Sequence, residues 1–304
     1  MQSRRNLIGV FSLLVLVVGI AAALTFVFFT DIKATPTSQE TDTYGLNNAG
    51  VIAGDYVDSN SVQHGMLLTT LSTLVPKLTT IDRADCVTSP SSTSIAFYAI
   101  NKSGVAAGWC TNTNSVQIGF TWKNGTFTDI TIPGATLVNA IGINDAGDVV
   151  GTYKDANGVQ HGYLLSGGKL TSLDPPGTTG LNTAWGINNA GVITVYGTNA
   201  SGGYSSFTTA DKGVTFTPFH DPSEGTLGTA VHQINSNGDI IATVFDASNN
   251  RHAVLYHAGQ YYDFDDPSGV GTTRGVGLND SLLMVGRYGS GVYGGVGFQT
   301  LAKP

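Results

Sequence analysis

Three histidines, His64, His161 and His252, occupy matching places along the chain, each followed by Gly or Ala and then an apolar or aromatic residue. Imidazole is a common zinc ligand, but a zinc site needs its donors within about 2.1 Å of one point. Matching positions in copies of one unit are spread apart, so these histidines read as packing and strand hydrogen bonds. A second group is acidic: Asp82, Asp174, Asp221, Asp265 and Asp266, with His220 and Glu224 close to Asp221. Two carboxyls about 5–10 Å apart across a sugar make a glycosidase pair. Clustered carboxylates also suit calcium, which takes about 6–8 oxygens. The competing reading is that Asp next to Pro or Gly starts turns. Arg274 is a cation among these acids, and Trp185 directly precedes an inner strand and is expected to face the channel mouth. No Gly-x-Ser-x-Gly, His-Glu-x-x-His or phosphate-binding Lys-Ser/Thr loop occurs, so no catalytic residue is assigned. The expectation is no cofactor, with calcium as the alternative.

The composition says what kind of scaffold must hold these groups. In 304 residues there are 40 Gly, and charged residues make up only 12%, about half the roughly 25% of an ordinary soluble domain. Gly, Asp, Asn and Thr serve turns and strands, whereas the scarce Glu and Lys serve helix surfaces. A mainly helical protein is excluded. A net charge of −7, with no Lys/Arg cluster beyond Arg4-Arg5, excludes a basic nucleic-acid binder. Hydrophobic content of 41% is too high for a disordered chain.

Internal repetition supplies the elements. The block Gly142-Ile143-Asn144-Asp145-Ala146-Gly147, followed by Gly151-Thr152-Tyr153, has near-copies from Gly45 to Tyr56 and from Gly277 to Tyr288, and weaker copies elsewhere. The turn asparagines Asn47, Asn101, Asn144, Asn188, Asn235 and Asn279 recur every 43–54 residues. Asn can bond its own backbone two residues on, and Gly accepts a left-handed conformation, so each Asn-x-x-Gly step predicts a tight hairpin. The third unit carries four strand-like runs, at 126–131, 139–144, 148–153 and 160–165. Four antiparallel strands repeated six times predict an all-β, six-bladed β-propeller. The Ala-x-Gly-Ile-Asn run is innermost, Gly-x-Tyr next, His-Gly-Tyr third and Phe-Thr-Asp outermost. A β-solenoid, or a different blade count, is the alternative.

The repeats read as 24–70, 71–123, 124–166, 167–210, 211–257 and 258–300, with 301–304 as a tail. The last blade lacks a fourth strand, while Phe26–Ile32 resembles the outermost run, so the N-terminal strand is expected to close the ring. Residues 1–23 read as a targeting segment. Arg4-Arg5 precede an uncharged run from Leu7 to Phe29. That run is either a signal core with Ala21-Ala22-Ala23 at its cleavage site or an uncleaved membrane anchor. Both place the body outside the cytoplasm. Cys86 and Cys110 form an even pair, read either as one disulfide in an oxidising compartment or as two small buried thiols.

These units resemble the HAF repeat of probable extracellular bacterial repeat proteins. The resemblance rests on the Gly-Ile/Leu-Asn-x-x-Gly blocks, the Gly-x-Tyr runs, the Asp174-Pro175-Pro176-Gly177 link and the triplet His161-Gly162-Tyr163, which His64-Gly65-Met66 and His252-Ala253-Val254 follow less closely. Ile118, Ser205 and Val296 stand where the other three units would carry the histidine. The resemblance implies secretion and repeats, with no assigned reaction.

The function expected from the sequence is a secreted or surface-anchored, non-catalytic binding module. Its predicted ligand face is the acidic one, formed by loops that join second to third strands and fourth strands to the next blade. Asp82, Asp174, His220, Asp221, Asp265, Asp266, Arg274 and Trp185 are its candidate contacts. The expected partner is an extracellular glycan or protein, and the alternative is a hydrolase or lyase acting on extracellular polysaccharide.

Overall fold

The computed structural model describes residues 25–69, 77–86, 95–289 and 295–303. Arg4-Arg5 and the expected cleavage site at Ala21-Ala22-Ala23 lie outside them. The described residues form 24 strands in six four-stranded antiparallel blades. Blade one is β2 (Glu40–Leu46), β3 (Val51–Val57), β4 (Gln63–Thr69) and β5 (Lys77–Ile81). Blade two is β6 (Ile95–Ile100), β7 (Ala106–Thr111), β8 (Gln117–Lys123) and β9 (Thr126–Asp129). Blade three is β10 (Leu137–Ile143), β11 (Val149–Lys154), β12 (Gln160–Ser166) and β13 (Lys169–Leu173). Blade four is β14 (Gly180–Ile187), β15 (Ile193–Thr198), β16 (Tyr204–Thr209) and β17 (Thr217–Phe219). Blade five is β18 (Thr229–Ile234), β19 (Ile240–Phe245), β20 (Arg251–His257) and β21 (Gln260–Asp263).

Blade six joins the two chain ends. It contains β22 (Arg274–Leu278), β23 (Leu283–Tyr288) and β24 (Val296–Lys303), and its outer strand is β1 (Thr25–Ile32), antiparallel to β24 with Asp31 opposite Phe298. The expected ring closure is therefore present, and it covers an edge that would otherwise invite pairing with another chain. Each sequence repeat carries the outer strand of one blade followed by three strands of the next. The repeats thus run one strand out of phase with the blades. Because β1 begins at Thr25, the run from Leu7 to Phe29 is not one uninterrupted segment: its last five residues belong to the ring. No helix among the described residues is long and apolar enough to cross a membrane.

The core lies between the faces of adjacent blades. Tyr163, Phe97, Phe120 and Phe298 are fully buried there. Near the axis the inner strands crowd. A Cβ on Gly45 would lie 2.4 Å from the Tyr98 carbonyl oxygen of the next blade, which is why this position favours the smallest residue.

Every inner strand also carries a bulge, which shifts its register against the second strand. Bulges put an extra residue on one strand and re-aim its side chain. In blade three the extra residue is Ile141, and a Cβ on Gly151 of β11 would sit 2.0 Å from the Asn139 carbonyl oxygen. The Gly of Gly-x-Tyr is thus required by the bulge on its neighbour.

The six asparagines do more than turn the hairpins. Asn101 Oδ1 accepts from the Ser103 and Val105 backbone N–H groups at 3.0 Å each. Its Nδ2 donates to the Asn144 carbonyl oxygen of the next blade at 3.1 Å. The same inter-blade donation runs from Asn47 to Asn101, Asn144 to Asn188, Asn188 to Asn235, Asn235 to Asn279 and Asn279 back to Asn47. One end of the channel is therefore ringed by a closed cycle of side-chain amides, each buried. The cavity beside it measures about 70 Å³. Cys86 and Cys110 are joined as a disulfide in blade two, with Cα atoms 5.9 Å apart.

Candidate functional site

The bulged residues of the inner strands are Tyr44, Tyr98, Ile141, Trp185, His232 and Val276, one or more from each blade. Four of them meet at the axis. Tyr44 stacks on Tyr98 with ring centroids 4.2 Å apart. Trp185 lies edge-on to Tyr98 at 5.7 Å and to His232 at 4.5 Å, so blades one, two, four and five share one aromatic plug. Tyr196 and Tyr204 extend it toward Phe245. Burial pushes the Tyr98 and Tyr196 hydroxyls up to about 12. Burial, with Arg274 and Arg287 behind it, pulls His232 down to about 3, so this imidazole is neutral at physiological pH.

A charged layer comes from the residues paired just outside each bulge: Asp42 with Asp55 in blade one, and Arg274 with Arg287 in blade six. Arg287 is salt-bridged to Asp42 and lies 5.8 Å over the Tyr44 ring. Burial alone would lower its pKa, but Tyr44 and Asp42 hold it above the ordinary value. The Tyr44 hydroxyl donates to Asp42 Oδ2 at 3.2 Å, and Gln63 Nε2 donates to Asp55 Oδ2 at 2.6 Å. Burial and the neighbouring Asp42 push the Asp55 carboxyl well above the usual carboxylate range. Asp42 Oδ1, Asp55 Oδ1 and His232 Nδ1 are buried without a hydrogen-bond partner among the described residues.

Beside this charged layer, where blades five, six and one meet, lies a pocket of about 250 Å³ lined by Glu40, Arg251, Thr272, Arg274, Arg287, Gly289 and Gly295. Burial, reinforced by Asp42, pushes the Glu40 carboxyl up to about 7, although the Gly295 N–H and Arg287 act the other way. Burial lowers Arg274 to about 10, with Arg287 and Arg251 adding repulsion. Arg251 lies 5.8 Å over Phe245.

The sequence-predicted residues divide into three groups. Arg274 lines this pocket, and Trp185 belongs to the aromatic plug near it. Asp82, Asp174 and Asp265 instead accept from His64, His161 and His252 at 2.8, 2.8 and 2.7 Å, each within its own blade. A second aspartate, Asp58, Asp155 or Asp246, approaches the other ring nitrogen at 3.4–3.8 Å. These bridges show that the two loop sets share a face, and they spread its carboxylates around a rim instead of gathering them. Asp221 and Asp266 cap turns, accepting from the Ser223 and Ser268 N–H groups. His220 is exposed beside a groove lined by Phe219, Tyr256 and Tyr261 between blades four and five. Among the described residues no group of three or more His, Cys, Asp or Glu is placed to hold a metal ion.

Glu40, Asp42, Asp55, Arg251 and Arg287 were not among the sequence-predicted contacts. The signal for two of them, Asp55 and Arg287, lies in the variable letters of the repeat. The x of Ala-x-Gly-Ile-Asn is the bulged, axis-facing residue. The x of Gly-x-Tyr is Asp55, Thr152 and Arg287 in blades one, three and six.

No family model matches the chain, and no curated protein matches it in sequence. Solved structures do match. The Aleuria aurantia lectin in complex with alpha-methyl-L-fucoside gives a TM-score of 0.55 at 11% identity, over 90% of this chain and 96% of that one. AofleA from Arthrobotrys oligospora gives 0.53 at 11% identity, over 90% and 86%. The Trypanosoma rangeli sialidase in complex with 2,3-difluorosialic acid gives 0.57 at 9% identity, over 89% of this chain and 58% of that one. At these identities the likeness shows the fold, a six-bladed β-propeller.

Proposed function

We propose that this chain is a non-catalytic carbohydrate-binding module whose ligand enters the channel mouth. The observation that carries the reading is convergence: bulged residues from several blades bring aromatic rings and charged groups together beside one open pocket. Sugars present apolar C–H faces that stack on aromatic rings and hydroxyls that need placed polar partners; the pocket lining supplies the polar partners, and the aromatic plug lies behind it, with Arg287 over the Tyr44 ring. The Aleuria aurantia lectin, a six-bladed propeller solved with a fucoside, supports the ligand class. The site moves from the acidic loops named by the sequence to the axis on the same face, because the loop carboxylates are engaged by their own histidines and turns.

The same proposal includes membership of the HAF-repeat proteins and an extracytoplasmic location, resting on the sequence resemblance and on Arg4-Arg5 with the apolar run that follows. Glycan-array binding followed by titration calorimetry tests the function. Trp185→Ala should weaken the best glycan about tenfold through lost stacking and burial, and absence of binding to any glycan would end the reading. Peptide mapping of exported protein tests the location, which fails if the chain stays in the cytoplasm.

A second reading, hydrolysis or lysis of extracellular polysaccharide, is favoured by one observation: a Glu40 carboxyl poised near pH 7 suits a general acid or base. Polysaccharide turnover abolished by Glu40→Gln would establish it over simple binding.

A further inference from the structure

Arg251 and Arg274 are the unusual groups in the pocket. Arg287 has Asp42, and Arg83 in blade two has Asp85 and Asp129. No carboxylate or hydrogen-bond acceptor among the described residues engages the guanidinium of either Arg251 or Arg274, although Arg274 is half-buried on β22. A charge withdrawn from water is costly unless it is paired and hydrogen-bonded. Three guanidiniums around one pocket, two of them without a paired carboxylate among the described residues, form a fixed positive surface aimed at something negative.

We propose that this pocket takes the carboxylate of an acidic sugar, held by Arg274 and Arg251, with the sugar ring directed toward the aromatic plug. The inference rests on the carbohydrate-binding reading and names the ligand class of the same site. The planar guanidinium fork matches a carboxylate through two parallel hydrogen bonds.

A carboxylate fits better than a phosphate because of the acids that share the pocket. Glu40 lines it directly, and Asp42 stands behind Glu40 beside Arg287. A dianion would face both, whereas a single negative charge meets a Glu40 carboxyl whose proton is retained up to about pH 7. Held neutral, that carboxyl can donate to one oxygen of the ligand. The charged groups around Glu40 are Asp42 on its own strand, Asp55 on β3, Arg287 on β23, Arg274 on β22 and Arg251 on β20. As pH rises through about 7, Glu40 loses its proton and repels the ligand, so binding should weaken in that window.

Calorimetry on the intact chain tests this with oligosaccharides ending in glucuronate, the same set ending in N-acetylneuraminate, and both sets with the carboxyl reduced to an alcohol. The expected result is that one acidic set binds at least about tenfold more tightly than its reduced counterpart, the size of one charged hydrogen-bond contact. Arg274→Met should remove that preference and Arg274→Lys should restore only part of it. Arg251→Ala, at the rim, is the control should Arg274→Met not fold. Glu40→Gln should flatten the loss of affinity between pH 6 and 8.

Acidic and reduced sets binding equally, with no effect of either arginine, would overturn the carboxylate inference and leave glycan binding standing. No binding by any set would remove both. Acetate or inorganic phosphate binding as tightly as the oligosaccharides would make this a general anion pocket and overturn the saccharide assignment.

Discussion

Replacing Asn101 tests whether the amide cycle holds the blades together or merely decorates the hairpins. In Asn101→Ala the backbone N–H groups of Ser103 and Val105 lose their common acceptor, and the Asn144 carbonyl loses the amide of the preceding blade. Each hydrogen bond contributes about 1 kcal/mol net, and more where a buried group is left unpaired. Ser103 is exposed, so water replaces its partner. The Asn144 carbonyl keeps the N–H of Gly147. Val105 is half-buried and bears the larger loss, giving about 2–3 kcal/mol in total. Asn101→Asp separates the two roles. It preserves both acceptances within the hairpin, but it places a carboxylate oxygen 3.1 Å from the Asn144 carbonyl oxygen, where an amide had donated. The introduced acid therefore has a folded-state pKa above its unfolded value, so its penalty is absent below the unfolded value and full above the folded one. Guanidinium chloride unfolding at pH 7 and pH 4, each referred to the wild-type chain, measures both variants. Asn101→Asp should approach wild type at the lower pH while Asn101→Ala does not. A cost below about 0.5 kcal/mol for Asn101→Ala, or an Asn101→Asp penalty that ignores pH, would refute the inter-blade role.

Gly151→Ala should abolish folding or destabilise severely, since its Cβ would lie 2.0 Å from the Asn139 carbonyl oxygen, whereas Gly147→Ala, with open space around it at φ +85°, should cost only about 1–2 kcal/mol; expression and thermal unfolding of the pair check this. Burial lowers the His252 pKa but Asp265 and Asp246 outweigh it, so the folded value is raised. The extra stability of wild type over Asp265→Asn should accordingly be full below the unfolded histidine value and fade as pH rises through the folded one, and NMR titration should show the His252 pKa fall in the variant. Replacing both Cys86 and Cys110 with Ser should cost about 3 kcal/mol on the chain-entropy estimate for a loop of this length, read as a drop in unfolding midpoint that reducing agent reproduces only in the wild-type chain.

The fold was legible because repetition averages out local ambiguity. One strand-like run such as Gln160–Leu165 is weak by itself, but the same run recurring beside the same Asn-x-x-Gly hairpin fixes strand number, order and the role of Phe26–Ile32. The site was less legible for the converse reason. A binding mouth on a symmetric ring is built where the copies differ, and a search for shared letters passes over those positions. Arg274 and Trp185 stood out as rare residue types, whereas Asp55 and Arg287 hid inside a shared Gly-x-Tyr motif. The acids that drew attention, Asp82, Asp174 and Asp265, are repeated, and repetition is what disqualifies them from convergence: each meets the histidine of its own blade before it can meet its equivalents. What no pattern of letters conveyed was the bulge. It turns Tyr44, Tyr98, Trp185 and His232 toward the axis, against the simple alternation expected of a strand. Once that bulge is known, the unshared letters of the two inner strands can be read as a list of axis-facing chemistry. On that list the positive charge comes from blade six and the acids from blade one, adjacent around the ring. The opposed charges of the mouth therefore arise at the seam where the two ends of the chain meet, and the closing strand β1 flanks β24 on the outer side of that same seam.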